Sequence, residues 1–307
     1  MTCRVVAGGE VAGLVKFNVG PRYSNFEQIY TSAIDFTRVT SPFDGLAFRL
    51  GVQHVTYAGA QVDLLPYKPH FSESYSSPNR YARDYLAAVE ADWSNVMTSY
   101  RGQGARVFVQ MYDSNSTTNR SSNGLESVLP NAFALGIMGY PYFVTSPICG
   151  AQYVSNTCTR NLFARWLQLV TFFPIMHLGI LPSDVSSDLV SLTNRYVDLH
   201  RSQVVPEFER IQMNASAYLH PLVRPLWWHD PRDERCLTIT DEFMVGDVYL
   251  VAPVLDDVST QRDVYLPAGT WCDMNRPGTQ LVGPRTITNY AAPYDVIPYF
   301  KLATSCS

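Results

Sequence analysis

Short apolar runs alternate with longer segments of helical spacing from Val52 to about Tyr218, and this alternation constrains the fold more than any other feature. Val52–Tyr57 (VQHVTY) reads as a strand. Tyr81–Tyr100 reads as a helix through Leu86, Val89, Trp93 and Val96, and Val107–Met111 (VFVQM) as a buried strand. A polar loop, Asp113–Asn123, leads into a helix predicted from Gly124 to about Met138. Tyr142–Thr145 is expected as a strand, Arg160–Phe173 as a helix, Met176–Leu181 as a strand and Val185–Tyr218 as a long helical stretch. Strands alternating with helices predict a parallel α/β sheet or barrel. Residues 1–50 are Gly-rich and weakly patterned, with one short helix expected over Phe43–Leu50 after Ser41-Pro42.

From Leu222 the texture changes. VRPLWW, VYLVAPVL, RDVYLPAGTW and VIPYF are strand-like runs separated by Pro, Gly and Asp turns, and helix signals vanish. The expected division is therefore an α/β part over residues 1–222 and a small antiparallel β domain over 223–307.

Composition and motifs remove several function classes. With a net charge of −4 there is no basic field to recruit nucleic acid or anionic lipid. No apolar run reaches the roughly 18 residues of a membrane span; the longest, Leu167–Leu181, is broken by Gln168, Pro174 and His177. Arg4, Glu10 and Lys16 interrupt anything resembling a signal-peptide core. The six cysteines and six histidines never take zinc-ligand spacing. A phosphate-binding Gly-Lys loop, a dinucleotide fingerprint and a Gly-x-Ser-x-Gly elbow are all missing from the sequence. No metal and no cofactor are expected. Cys149 and Cys158 lie close enough to bridge a surface loop, buried or free thiols being the alternative.

Carboxylate chemistry remains. Asp113 directly follows VFVQMY, where a barrel strand would pass into its loop, the edge at which catalytic groups of (β/α)8 barrels sit. The alternative is a turn former or helix cap. Arg101, on an expected neighbouring strand, is placed to orient a sugar hydroxyl or a carboxylate, or is an ordinary surface arginine. Asn115-Ser-Thr, Asn119-Arg-Ser and Asn214-Ala-Ser are glycosylation tripeptides of a kind that also occurs by chance; a glycan on Asn115 would crowd a pocket at Asp113.

RPLWW (Arg224–Trp228), DEFMVGDVYLVAPVL (Asp241–Leu255) and RDVYLPAGTWCDM (Arg262–Met274) form a distinctive series. It resembles the end of the catalytic barrel and the following β domain of glycoside hydrolase family 31. Within the family it is most similar to the myogenesis-regulating glycosidase group, which shares a late stretch like NYAAPYDVIPYF. GLESVLPNAFALGIMGYPYFV and LFARWLQLVTFFPIM resemble the family's late-barrel helices and strands, so the likeness runs over about residues 40 to 300. It implies a partial (β/α)8 TIM-type barrel, about strands 4–8, followed by a small antiparallel β-sandwich domain. The family's earlier barrel strands and preceding β domain have no counterpart in this sequence.

The resemblance also implies retaining hydrolysis of α-glycosides, with two carboxyl groups about 5–5.5 Å apart. Asp113, preceding Gly124-Leu125, matches the acid/base position, and Arg101-Gly-Gln103 resembles the family's Arg-Ser-Gln. The nucleophile box, aromatic–Asp–Ala–Gly–Glu, is here Tyr57-Ala58-Gly59-Ala60-Gln61. Ala58 thus stands at the nucleophile position and Gln61 at the downstream Glu. Asp63 is the nearby carboxylate, a substitute nucleophile if the loop takes another path. Tyr57, Gln61, Arg101 and Gln103 are the substrate-binding candidates. Pro147 replaces the aspartate of a sugar-binding segment, and Gln110 replaces an Arg before the acid/base.

The resemblance therefore implies a carbohydrate or glycoconjugate partner, with no nucleic acid and no membrane segment in this chain. Function is expected to be that of a family 31-like α-glycosidase impaired at Ala58. The alternatives are a non-catalytic glycan-binding or interaction scaffold, and a truncated inactive fragment. An anchor upstream would place the protein in the secretory pathway or endoplasmic reticulum.

Overall fold

The structure is a computed structural model and describes residues 14–18, 30–34, 56–57, 77–88, 94–97, 99–150, 158–213 and 220–306, with side chains from residue 77 onward. The helix expected over Phe43–Leu50 lies outside the described residues. The chain divides into two compact units, residues 1–110 and 111–307.

In the first unit, β1 (Leu14–Asn18) and β2 (Tyr30–Ile34) form an antiparallel pair. Three short strands then run parallel: β3 (Thr56–Tyr57), β4 (Ser94–Val96) and β5 (Val107–Gln110). The crossover from β3 to β4 carries α1 (Pro78–Ala88), which buries Tyr81, Ala82, Tyr85 and Leu86 at helical spacing. The expected helix Tyr81–Tyr100 therefore stops at Ala88, and Ser94–Val96 is a strand instead. Three residues are too few to show a period of two, so the helical spacing carried across the junction. Asn95 Nδ2 donates to Gln110 Oε1 at 2.8 Å, which fixes both amides between neighbouring strands.

The second unit opens with Met111, whose N–H donates to Val144 O at 2.8 Å. α2 (Leu125–Ile137) buries Leu125, Val128, Leu129 and Ala132, and β6 is Phe143–Val144. α3 (Arg160–Val170) is buried on every face from Leu162 onward, as a helix at the centre of a core must be. Its Thr159 cap accepts from Leu162 N at 3.1 Å. The expected strand Met176–Leu181 does not form; the segment is loop between Pro174 and Pro182, joined to residue 148 through Ile148 N–His177 O at 2.8 Å.

The long helical stretch is also interrupted. α4 (Pro182–Val185) and α5 (Asp188–Leu199) are separated by an extended Ser186. A π-helical turn, His200–Val204, precedes α6 (Val205–Met213). Pro206 has no amide to close the turn onto Ser202, and the widened turn sits at that gap.

Beyond residue 220 one six-stranded antiparallel sheet forms, in the order β11-β10-β12-β9-β8-β7. Its strands are β7 (Val223–Pro225), β8 (Phe243–Val245), β9 (Tyr249–Val251), β10 (Gln261–Asp273), β11 (Gln280–Ala291) and β12 (Tyr299–Leu302). Two short helices, α7 (Leu226–His229) and α8 (Glu234–Thr238), fall where only strands were expected. One turn of helix is too short to leave a periodic signature. Gly246, at φ +55°, makes the bend from β8 to β9 that the sequence assigned to a glycine. Met244, Leu250, Val264, Leu266, Trp271 and Phe300 share one core under the sheet.

Two disulfides form, Cys149–Cys158 and Cys272–Cys306, while Cys236 stays a buried free thiol. The first resolves the choice left open by spacing. The second joins residues 34 apart, a separation that carries no sequence signature. The described residues combine parallel and antiparallel sheets with helices, and among them no barrel closes.

Candidate active site

The described candidates end or follow strands β3, β4 and β5 in sequence. In the first unit, β3 ends on Tyr57, which is in parallel register with Val96 of β4. Ala58, Gln61 and Asp63 lie outside the described residues. Arg101 is in a bend after β4, not on a strand as expected. It is exposed, at φ +56°, with its guanidinium 5.5 Å from the centre of the Tyr100 ring. Gln103 lies in the turn that follows, closed by Ala105 N–Gly102 O at 3.0 Å.

In the second unit, Asp113 stands three residues past the end of β5, its side chain exposed. Its carboxylate accepts no hydrogen bond among the described residues. The caps in this loop come from elsewhere: Asn119 caps the short 3-10 turn Arg120–Ser122, and Gly124 precedes α2. Asp113 is therefore not spent as a helix cap. Its backbone is held, since Asn123 Nδ2 donates to Asp113 O at 3.0 Å. Asn115 N–Asn123 O at 3.0 Å and Leu125 N–Thr117 O at 2.9 Å close the rest of the loop. Asp113 thus presents a solvent-facing carboxyl group on a braced backbone.

The loop after β6 packs against this one. Ser116 Oγ donates to Cys149 O. Gly150, at φ +70°, leaves room for Ser114: a Cβ there would stand 2.3 Å from Ser114 O. Pro147 occupies the position where the resemblance expects an aspartate, so that loop offers no carboxylate. Beside it the Ser146 hydroxyl is buried, with no hydrogen-bond partner among the described residues.

His177 was not among the candidates, because its segment read as the interior of a strand. Its Nδ1 donates to Thr145 O at 3.2 Å, and its carbonyl accepts from Ile148 N at 2.8 Å. The loops after β5, β6 and α3 are thus stitched together, with Asp113, Ser146 and His177 among their polar groups. The signal that could have found His177 is its place between Pro174 and Gly179, in a segment too punctuated for a strand.

A polar hollow of about 390 Å³ is lined by Glu126 of α2 and by Asp241, Asp256, Ser259, Arg262 and Asp263. None of the sequence-identified candidates lines it. Next to Arg262 lies Glu242, whose Oε1 accepts from Tyr265 N at 2.9 Å and from Arg262 Nη2 at 3.2 Å. Burial pushes the Glu242 carboxyl up to about 8 against the opposing pull of Arg262. No group of His, Cys, Asp and Glu side chains suited to a metal ion occurs among the described residues.

Residues 219–303 match the glycosyl hydrolase family 31 C-terminal domain. The myogenesis-regulating glycosidase of Mus musculus is 29% identical over 269 residues, 84% of this chain and 37% of that protein. The SITS-binding protein of Tetronarce californica is 33% identical over 193 residues, 62% of this chain and 27% of that protein. The chain thus spans well under half the length of these curated relatives. Among solved structures, a family 31 sulfoquinovosidase from E. rectale superimposes with a TM-score of 0.79 at 21% identity, covering 95% of this chain and 47% of that one. Residues 219–303 of this chain thus carry the glycosyl hydrolase family 31 C-terminal domain, and the chain shares the fold of family 31 structures.

Proposed function

We propose that the chain is a carbohydrate-binding member of the α-glycosidase class whose hydrolytic step is impaired at Ala58, with 1–222 as its barrel part and 223–307 as its β domain. The observation that carries this reading is the end of β3 at Tyr57, beside Val96 of β4. The resemblance aligns Ala58, next in sequence after Tyr57, with the position where a barrel enzyme of this class needs its nucleophilic carboxylate. An alanine methyl has no lone pair to attack an anomeric carbon, so no covalent glycosyl intermediate forms at residue 58. Asp113 keeps the other half of the chemistry. As a carboxylic acid it would protonate the departing glycosidic oxygen, and as a carboxylate it would hydrogen-bond a sugar hydroxyl. Arg101, Gln103, Tyr57 and Gln61 are the groups assigned to hold the sugar, and Asp63 the carboxylate assigned as substitute nucleophile.

That a related protein is named for binding rather than for hydrolysis supports a binding role for this scaffold. The test pairs calorimetric titration with free sugars and glycoproteins against an assay with aryl α-glucosides and α-galactosides. Binding without release of the aryl group is the expected result. Turnover by the unaltered chain that disappears in Asp113→Ala would overturn the impairment. Absence of any carbohydrate binding by a cooperatively folded chain would overturn the binding role.

A further inference from the structure

We propose that Asn123 is the positioning residue of Asp113, acting through its side-chain amide on the Asp113 backbone; this rests on the reading of Asp113 as the carboxylate that meets the sugar. Asn123 Nδ2 donates to Asp113 O at 3.0 Å, and among the described residues this is the one hydrogen bond that Asp113 makes. The residues on either side are tied by main chain instead. Met111 N donates to Val144 O at 2.8 Å, and Asn115 N to Asn123 O at 3.0 Å. The peptide plane that leaves Asp113 is thus held by an amide ten residues away. Turning that plane means rotating ψ of Asp113, which redirects the Cα–Cβ bond carrying the exposed carboxyl.

Asn123 is itself held from several sides. Its backbone is at φ +52°, in the left-handed region that asparagine tolerates better than most residues. Its N–H donates to Arg120 O at 3.0 Å and its carbonyl accepts from Asn115 N. Its Oδ1 accepts at 2.9 Å from Ser127 Oγ, in the first turn of α2, a hydroxyl that also reaches Gly124 O at 2.6 Å. A backbone carbonyl can only accept, so the amide nitrogen must face Asp113 O, and the amide oxygen then faces Ser127. One side chain therefore links α2 to the backbone of Asp113.

Closing the loop does not need this link. Asn115 N–Asn123 O and Leu125 N–Thr117 O at 2.9 Å already close it through main chain. Asp113 is exposed, so water can replace the lost donor at small cost in stability. What the amide adds is a fixed direction for the carboxyl group.

The experiment measures calorimetric binding of nitrophenyl α-glucoside and α-galactoside, with a thermal melt of each protein. It runs through the unaltered chain, Asn123→Gly, Asp113→Asn and the double variant. Glycine keeps the left-handed backbone and removes only the amide. Asn123→Gly should bind about fivefold to tenfold more weakly with an unchanged melting midpoint, and Asp113→Asn about tenfold more weakly, the range of a hydrogen bond to a charged group. In the Asp113→Asn background, Asn123→Gly should cost less than about twofold, because no carboxylate is left to aim. Added glycoside should shift the carbon-13 carboxyl signal of Asp113 in the unaltered chain and barely move it in Asn123→Gly. If Asn123→Gly loses its cooperative melt, Ser127→Ala, which frees the far side of the amide, is carried through the same cycle. Equal losses in both backgrounds, or no loss where Asp113→Asn binds weakly, would overturn the proposal and leave the reading of Asp113 standing. An unaltered chain that binds neither glycoside, or an Asp113→Asn variant that binds as tightly as the unaltered chain, would overturn both.

Discussion

Arg165 of α3 donates from Nη2 to the carbonyl oxygen of Ala292, just past β11, at 2.7 Å. The same buried guanidinium reaches Ser259 O at 2.7 Å, Pro293 O at 3.1 Å and Val296 O at 3.3 Å. The two terminal nitrogens of one planar group thus satisfy carbonyls from two loops of the sheet. Arg165→Met should leave those carbonyls without a donor and cost about 3 kcal/mol or more. Arg165→Lys keeps the charge but not the fork, and should recover only part of that loss in a urea melt.

Glu242 gives the protein a pH-dependent stability of predictable sign. Its folded carboxyl titrates at about 8, against an ordinary value of 4.5. Between those values the folded chain holds a proton that the unfolded chain has released. The stabilisation is complete below 4.5 and is lost as pH rises to about 8. Glu242→Gln keeps an acceptor for Tyr265 N and should flatten this slope, becoming more stable than the unaltered chain at the alkaline end. Melts of both proteins across that window provide the check; parallel curves would contradict it.

The two disulfides should rank by the loops they close. Cys272 and Cys306 are 34 residues apart, and Cys149 and Cys158 are 9 apart. Loop-closure entropy gives about 4 kcal/mol for the longer loop and about 3 kcal/mol for the shorter. Replacing each pair by serines and comparing denaturant midpoints tests the order.

Gly150→Ala should loosen the stitching of the site loops. The new methyl would meet Ser114 O at 2.3 Å on a backbone at φ +70°, and both effects are unfavourable. A lower melting midpoint together with weaker carbohydrate binding is the expected outcome.

The proposed impairment makes a prediction about gain. Ala58→Asp, combined with Gln61→Glu, should give measurable release from aryl α-glycosides where the unaltered chain gives none. Adding Asp113→Asn should reduce that release by about a hundredfold or more, the usual worth of a positioned general acid. Activity in the repaired chain that ignores Asp113 would remove it from the acid/base role.

Legibility in the sequence followed length and period. α3, α2 and β10 are extended, strongly patterned segments, and they stand where the sequence put them, whereas β11 matches none of the runs read as strands. β4 and α7 are too brief to show any period, so the first was merged into a helix and the second into a strand. The break in the helical stretch at His200–Val204 traces to a single proline, Pro206, which a periodic pattern does not reveal. The strand that ends before Asp113 was legible as an apolar run. His177 was not, since its position depends on hydrogen bonds to residues 145 and 148, distant in sequence. Cys272–Cys306 is a tertiary pairing of the same kind.

β11 is the outermost strand of its sheet, and an outer strand offers unpaired amides and carbonyls to any passing chain. Its own sequence blunts that offer. Pro284 has no amide to give, Arg285 adds charge, and the ladder with β10 shifts register between Arg262 and Val264 and again between Leu266 and Gly269. An incoming strand would need a flat, continuous row of partners, and this rim supplies a twisted, interrupted one. The hairpin can therefore present a largely exposed face to water without serving as a template for copies of itself to stack edge to edge.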